Sequence, residues 1–548
     1  MNITIKKSII FCMLFTLLAG SLCQPAFASE TAAAEKNINI ALHKIVESSA
    51  LYAERLTDGL YNKTAFSGTA GEGDTFTVDL GRHVLITEIK LWPSQSGGAV
   101  SGADVSNLAI ELSNDTLDWV TVASWDDYSG ESFTAADALV ATPDADTYGR
   151  YVRIRKTEAG SFSYGELQVF ADVKALEVSR GKTVTANRES NIAPTAFTLP
   201  SVVDGITDNA ANGWLIEPVG TGDVPCLSID LGEELPVDWI EMYTRRGIVA
   251  GAAQHRGWEV YGLTAAQAES ALVPERDATL LFISHATGAG ALEANFPVNT
   301  EENEPNHYLF ETLDGTAYQH LSFLKKQFNV GLAEIAAYTI LPEAWKAELS
   351  GQAITVRFSQ EMDTSTFDFI KVMVNGAEKT PLVTPIDAYT AELTLDAMYY
   401  GAKIEVTVPE TVKSENGIGV YQRESAFTLF APAAVAISDL RFINGTNEGS
   451  TEITELAGLT EAGVTATFQN NQPDKSEDII VLAVLYDANR TVIRADEQRR
   501  TLEAESEPET VLAGFSLPED TTGCTLSVFI WKDYNLMKPW TAHYSLDD

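Results

Sequence analysis

Acidic residues recur at matching places along the chain. Asp58-Gly59 is answered downstream by Glu166 within Tyr164-Gly165-Glu166-Leu167-Gln168-Val169-Phe170, and Asp204-Gly205 by Glu334 within Gly331-Leu332-Ala333-Glu334-Ile335-Ala336-Ala337-Tyr338. Such a turn does one of two things. Its carboxylate and nearby carbonyls help hold a hard cation, which needs about six or more oxygens; or the glycine supplies positive φ while the aspartate bonds its own backbone. Both readings stand. A second chemistry gathers in Trp214, Tyr243, Arg245, Arg246 and His255. A saccharide needs an aromatic face for its C–H groups and planar polar groups for paired hydroxyls. The bland alternative makes Trp214 core and pairs the arginines with the many nearby acids. In the earlier copy the counterparts are fewer: Tyr61, Phe66, Trp92 and Arg82, with Trp92 at a strand end reading as buried.

Catalytic patterns are missing from the sequence. It contains no Gly-x-Ser-x-Gly elbow, His-Glu-x-x-His pair or phosphate loop, and its 7 histidines stand singly. Carboxylates for glycoside hydrolysis are recognised by a separation of about 5 to 10 Å, but no stretch is left over for a catalytic barrel. Glu361 and Asp363 read as surface or turn residues. The expected class is binding without catalysis.

The elements that would position these residues are strands. Short alternating runs such as Phe76-Thr77-Val78-Asp79-Leu80 and Tyr151-Val152-Arg153-Ile154, separated by turn residues, are the sequence form of antiparallel sandwiches. The pattern Asp-Gly turn, Asp-Leu-Gly strand end (Asp79 to Gly81, Asp230 to Gly232) and terminal glutamate strand occurs twice in the same order. A repeat sets the size of the folding unit. The second copy carries a helix-like insert, 265–272, with no counterpart in the first. Two further β-rich units follow, and a chain of 548 residues accommodates several cores of about 100 to 200 residues each.

The N-terminus reads as an export signal over 1–28: Lys6 and Lys7, an apolar run too short to span a bilayer, then Ala26-Phe27-Ala28 before the cut. Its loss removes two lysines and no acid from a chain whose formal charge is already −40. Nucleic acid is thereby disfavoured as a partner, since its affinity depends on Lys and Arg neutralising phosphates. Anionic membrane surfaces are disfavoured for the same reason, and no later segment is long and apolar enough to be a membrane helix. Of 4 cysteines, Cys12 and Cys23 leave with the signal. Cys226 and Cys524 remain in distant units, so stability must come from cores and not from a disulfide framework. Cys226 reads as a small buried hydrophobe.

With these motifs in order, the stretch from Asn37 to Leu341 resembles two tandem discoidin domains, the coagulation-factor type C and galactose-binding-like group that includes many bacterial carbohydrate-binding modules. Asn39-Ile40-Ala41-Leu42-His43-Lys44 looks like the family's first strand. The third unit is similar to bacterial Ig-like domains through Val356-Arg357-Phe358-Ser359-Gln360-Glu361-Met362-Asp363. The fourth resembles C-terminal sandwiches of surface proteins through Val528-Phe529-Ile530-Trp531. The implied fold class is all-β, four consecutive β-sandwich domains: two discoidin-like jelly rolls at 35–172 and 176–341, then two Ig-like sandwiches at 342–431 and 435–548.

The resemblance also implies sites. Asp58, Asn62, Thr64 and Glu166 match positions where such modules hold calcium, with Asp204, Asp208 and Glu334 corresponding in the second copy. Trp214, Tyr243, Arg245, Arg246 and His255 fall in or beside ligand-bearing loops, with Tyr61 and Arg82 the options in the first. The expected protein is a secreted, non-catalytic carbohydrate-binding protein, free or at the cell wall, with a structural calcium. Two alternatives stay open: a structural or envelope-protein-binding part of a surface assembly, and an accessory to a separate glycosidase.

Overall fold

The computed structural model describes residues 33–547 except 43, 49–52, 58–65, 95–99, 127–131, 134–137, 196, 208–212, 218–223, 245–256, 273–277, 284–306, 312–315, 327–328, 422–424, 448, 505–506, 533, 535–538 and 541–542. Strands take up 57% of the described residues and helices 5%. The proposed export signal lies outside the described residues, and no helix among them is long and apolar enough to cross a membrane.

In the first unit, Thr75–Pro93 is the organising strand. Residues Thr75 to Leu80 alternate between half-exposed and buried, the period that places one face on a core. The strand pairs with Tyr148–Lys156 along its first part and with Gly160–Glu177 along its second. Leu108–Ser113 and Val120–Trp125 extend one edge, and Ala34–Asn39 lies along Gly160–Glu177. That opening strand stops at Asn39 and not at Lys44. Asn39 Oδ1 accepts from Val169 N at 2.9 Å, turning the chain off the ladder.

The second unit repeats this construction. Cys226–Pro236 pairs with Ala317–Lys325 as Thr75–Pro93 pairs with Tyr148–Lys156, with Asp230 opposite His320 where Asp79 faces Tyr151. Gly81 (φ 80°) and Gly232 (φ 88°) close the equivalent turns, each donating its N–H to the aspartate two residues back at 2.8 Å. Only a residue without Cβ adopts this conformation cheaply. Lys182 adds a bond from Nζ to Leu231 O at 2.6 Å. The insert is a short 3-10 helix, Ala265–Ser270, capped by Thr264.

The two copies are not separate beads. Ala175 to Glu177 pairs with Tyr338 to Ile340, so strands of both units belong to one 13-stranded sheet. Trp239 stacks on Tyr338 at 4.7 Å, and both pack into the core that holds Leu80, Ile89 and Val169. A second core gathers Trp214, Trp258, Tyr318 and Phe323. Val330–Ile340 is buried at every position because it lies inside this double structure.

From 344 onward come two pairs of smaller sheets. Ala344–Ser350, Ala353–Phe358, Thr390–Thr394 and Leu382–Asp387 face Ala377–Lys379, Lys371–Val374, Lys403–Thr407 and Ala426–Phe430 over a core with Phe358 stacked on Phe367 at 5.1 Å. The last core lies between a three-stranded sheet centred on Glu461–Asn470 and a four-stranded one containing Glu477–Tyr486 and Thr525–Trp531. Cys226 and Cys524 are both buried, and neither forms a disulfide among the described residues.

Candidate functional site

The ladder between Thr75–Pro93 and Gly160–Glu177 runs from Pro93 opposite Tyr164 to Leu85 opposite Asp172. At about 3.3 Å per residue these ends are about 25 Å apart. The Pro93 end carries Glu166, and Phe66 and Pro93, both opposite Tyr164 there, adjoin residues 58–65 and 95–99 in sequence; the Leu85 end faces the rest of the chain. Glu166 is fully buried, in register with Trp92. Trp92 is only half-buried, contrary to the sequence reading, and its Nε1 donates to Gln168 Oε1 at 2.8 Å.

Beside this end lies a hollow of about 380 Å³. Glu47, Ser48, Thr69 and Asp74 rim it, and Phe76 and Phe162, in contact at 4.8 Å, form its floor. Both phenyl rings are almost wholly buried, so the rim offers carboxylates and hydroxyls while the floor supplies apolar edge. Two buried hydroxyls nearby, Tyr164 Oη and Ser94 Oγ, find no hydrogen-bond partner among the described residues. Burial pushes the Tyr164 hydroxyl pKa up, and the Asp104 charge adds to this.

In the second copy the Asp-Gly turn and the last strand meet. Gly205 N donates to Glu334 Oε1 at 2.9 Å, while Glu334 Oε2 is buried with no partner among the described residues. Burial pushes this carboxyl up to about 8, against the pull of the Gly205 N–H and with the help of the Asp204 and Glu177 charges. Asp204 is exposed; its Oδ1 accepts from Ile206 N at 2.9 Å, and its carbonyl accepts from Arg180 at 2.8 Å. Arg180 is itself forked onto Glu177 at 3.0 and 2.6 Å. An orphaned carboxylate oxygen beside a second carboxylate fits a hard cation. Among the described residues, however, no group of three or more ligating side chains is assembled. Asp58, Asn62, Thr64 and Asp208 lie outside the described residues.

Two expected ligand residues are corrected. Trp214 is fully buried: it sits on Trp214–Ile216, paired with Leu332 on the buried last strand, and its Nε1 donates to Arg188 O at 2.9 Å. It is core and presents no face to a sugar. Arg82 lies at the Leu85 end, away from the loops. Its guanidinium pairs with Asp238 of the second unit and donates to Gln360 of the third at 3.0 Å, fastening three units together. Tyr243 is half-buried, with its hydroxyl donating to Glu241 Oε2 at 2.8 Å. Tyr61, Arg245, Arg246 and His255 lie outside the described residues.

The sequence reading missed a pair of buried lysines. Lys156 and Lys325 hold the same position, five residues beyond the Tyr151–Asp79 and His320–Asp230 pairs, and both are almost wholly buried. Lys156 Nζ donates to Ser106 O at 2.5 Å, and Lys325 Nζ lies 4.6 Å over the Trp258 ring. Burial pulls both ammonium pKa values down.

Residues 44–167 match the model of the F5/8 type C domain. This is the sandwich whose loop end carries Glu166 and the polar hollow, so the F5/8 type C match covers the site just described. Among solved structures, a fucolectin from striped bass (Morone saxatilis) serum is 14% identical, covering 56% of this chain and 99% of that chain at a TM-score of 0.22. A fucose binding module of Streptococcus pneumoniae is 21% identical, covering 25% and 96%, at 0.21. Allantoicase from Saccharomyces cerevisiae is 12% identical, covering 59% and 98%, at 0.21. No curated protein matches the chain.

Proposed function

We propose that this chain is a non-catalytic carbohydrate-binding protein, exported from the cell, whose first F5/8 type C module receives a glycan at its loop end. What supports the reading is one coincidence: the stretch that matches the family model bears, at its loop end, an open hollow with a rim of carboxylates and hydroxyls. Such groups bond vicinal sugar hydroxyls without needing a charged ligand. The loss of Trp214 as a stacking platform moves the weight of the proposal from the second copy to the first. The last two units would then serve as spacers or attachment.

Calcium enters the proposal as a structural ion. In the second module Asp204 and Glu334 would hold it together with Asp208; in the first, Asp58, Asn62, Thr64 and Glu166 would do so. An affinity near 1 mM for one glycan, about −4 kcal/mol, suffices if several contacts on a polymer act together.

A glycan array probed with the full chain in calcium tests the reading. Retained glycans whose signal falls in Glu47→Gln are expected. Silence on every glycan, together with tight capture of a defined envelope protein, would favour the surface-assembly alternative.

A further inference from the structure

The Leu85 end of the first sandwich, opposite the loop end, does not close flush against the third unit. Between them opens a cleft of about 650 Å³, within the range of about 300–1,000 Å³ typical of ligand pockets, which favour domain interfaces. Its wall is aromatic. Tyr148 of the first unit stacks on Trp345 of the third at 5.1 Å and 17°, and His83 stacks on the same indole at 5.5 Å and 27°. Tyr389 meets His83 edge-on at 5.7 Å.

Hydrogen bonds frame this wall. His83 N donates to Ser359 O at 2.7 Å, and Trp345 Nε1 donates to Phe358 O at 3.2 Å. Arg150, forked onto Asp79 at 2.9 Å, lies 5.1 Å over Tyr389. His83 Nδ1 is 2.9 Å from Asn114 Oδ1; with the proton on Nδ1, Nε2 is left as an acceptor. Burial lowers the imidazole pKa, and the Arg150 and Arg357 charges add to this against the Asn114 bond, so the ring is neutral near pH 7.

A junction that served only to glue two units would be close-packed like a protein interior. Here Trp345 and Tyr148 stay half-exposed. Arg357 stands exposed at the rim and enters no ion pair among the described residues, in a chain whose formal charge is −40. Asp387 is exposed on the other side of Thr390, with Oδ1 accepting from Tyr389 N at 2.7 Å. Asp115 and Lys346 complete a rim of both signs. An anion would meet the aspartates and a cation would meet the basic groups. A neutral polyol can donate to the carboxylates and accept from Arg357 while its C–H face lies on an aromatic ring.

We propose that this cleft is a second saccharide site, taking one neutral pyranose ring between Trp345 and the Arg357–Asp387 rim. It takes its ligand class from the loop-end reading but uses none of the loop-end residues. A bound ring would touch both units and so tie the third unit to the first.

The test uses the full chain labelled with 5-fluorotryptophan, with the Trp345 fluorine resonance assigned by Trp345→Phe and the loop-end Trp92 resonance by Trp92→Phe. Methyl glycosides of galactose, glucose, fucose and N-acetylglucosamine are titrated to about 10 mM, tenfold above a dissociation constant of about 1 mM. A saturable shift of the Trp345 resonance with at least one glycoside is expected. The double variant Arg357→Gln/Asp387→Asn should weaken that response about tenfold, the loss of hydrogen bonds to charged groups, with an unchanged melting temperature. A Trp345 resonance that no glycoside moves, or a response the double variant leaves intact, overturns the proposal. If Trp92 alone responds, the loop-end reading stands and the cleft falls; if Trp345 alone responds, the reverse holds.

Discussion

Gly205 gives its backbone N–H to Glu334 Oε1 at 2.9 Å, fastening the Asp-Gly turn of the second module to its last strand. One oxygen of the carboxyl is thereby satisfied, and the other has no partner among the described residues. Burial, joined by the neighbouring Asp204 and Glu177 charges, lifts the carboxyl from 4.5 to about 8, so without a cation it holds a proton near neutrality.

Stability should therefore depend on pH in a defined direction. A carboxyl raised in the folded state binds more protons folded than unfolded between 4.5 and about 8, so its contribution is full below 4.5 and is lost as pH rises toward about 8. Thermal melts in chelator should show this decline, and Glu334→Gln should flatten it. Calcium at about 1 mM should restore about 0.4 to 1.4 kcal/mol in the upper part of the window, for a dissociation constant of about 0.1 to 1 mM. Identical midpoints with calcium and with chelator at pH 8 would remove the calcium proposal while leaving the pH effect in place.

Close approach of backbones sets a second expectation. Gly213 has φ 109°, and a Cβ there would lie 1.9 Å from Leu332 O, a main-chain atom that cannot step aside. Gly213→Ala should cost about 3 kcal/mol or more. Gly181 has φ 64° but open space around it, so Gly181→Ala should cost only about 1 kcal/mol. Melting the two variants side by side separates strain from collision; equal losses would show that the contact with Leu332 does not decide the matter.

The duplicated architecture was legible because it rests on local chemistry. Asp79–Gly81 and Asp230–Gly232 each close a turn with an aspartate and a positive-φ glycine, and both features are written in the residue types. Trp214 was not legible. It lies on a three-residue strand against a neighbour buried at every position, where no alternation marks an inner and an outer face. Arg82 follows a tight turn and looks exposed in sequence; only the docking of Asp238 and Gln360 onto it makes it a fastener. Lys156 and Lys325 could have been found by aligning the paired strands of the two copies from Asp79 and Asp230, but sequence similarity there is slight.

Arg82 carries the third expectation. Both partners of the Arg82–Asp238 pair are largely buried, with side-chain exposures of 17% and 11%. Removing the cation leaves Asp238 unpaired, although Asp238 Oδ2 still accepts from Ile340 N at 2.6 Å. Partial burial tempers the cost of a fully buried broken pair, so Arg82→Ala should lose about 2 kcal/mol. Arg82→Ala/Asp238→Ala should recover part of the loss. Urea denaturation followed by intrinsic fluorescence reads both; a double variant weaker than the sum of the singles would show that the pair is not what holds the junction.

A second buried glutamate answers to acid with the opposite sign. Burial pushes the Glu477 carboxyl up, but bonds from Gln472, Lys475 and Lys532 outweigh it and hold the carboxyl down at about 2. Gln472 Nε2 donates at 3.0 Å, and both ammonium groups contact the same carboxylate. A carboxyl lowered in the folded state contributes stability above its ordinary 4.5, and that contribution is lost as pH falls toward about 2. Glu477 and Glu334 thus load opposite limbs of the pH profile from different units of the chain. Lys532 lies 5.2 Å over Trp540, so the 5-fluorotryptophan resonance of Trp540, assigned by Trp540→Phe, reports the last unit locally. On acidification its unfolding transition should come later in Glu334→Gln than in Glu477→Gln, and Glu477→Gln should lose about 2 kcal/mol at pH 7 by leaving two ammonium groups without their carboxylate. An acid transition at Trp540 that Glu477→Gln leaves unmoved would show that the three bonds to Glu477 do not govern the acid stability of that unit.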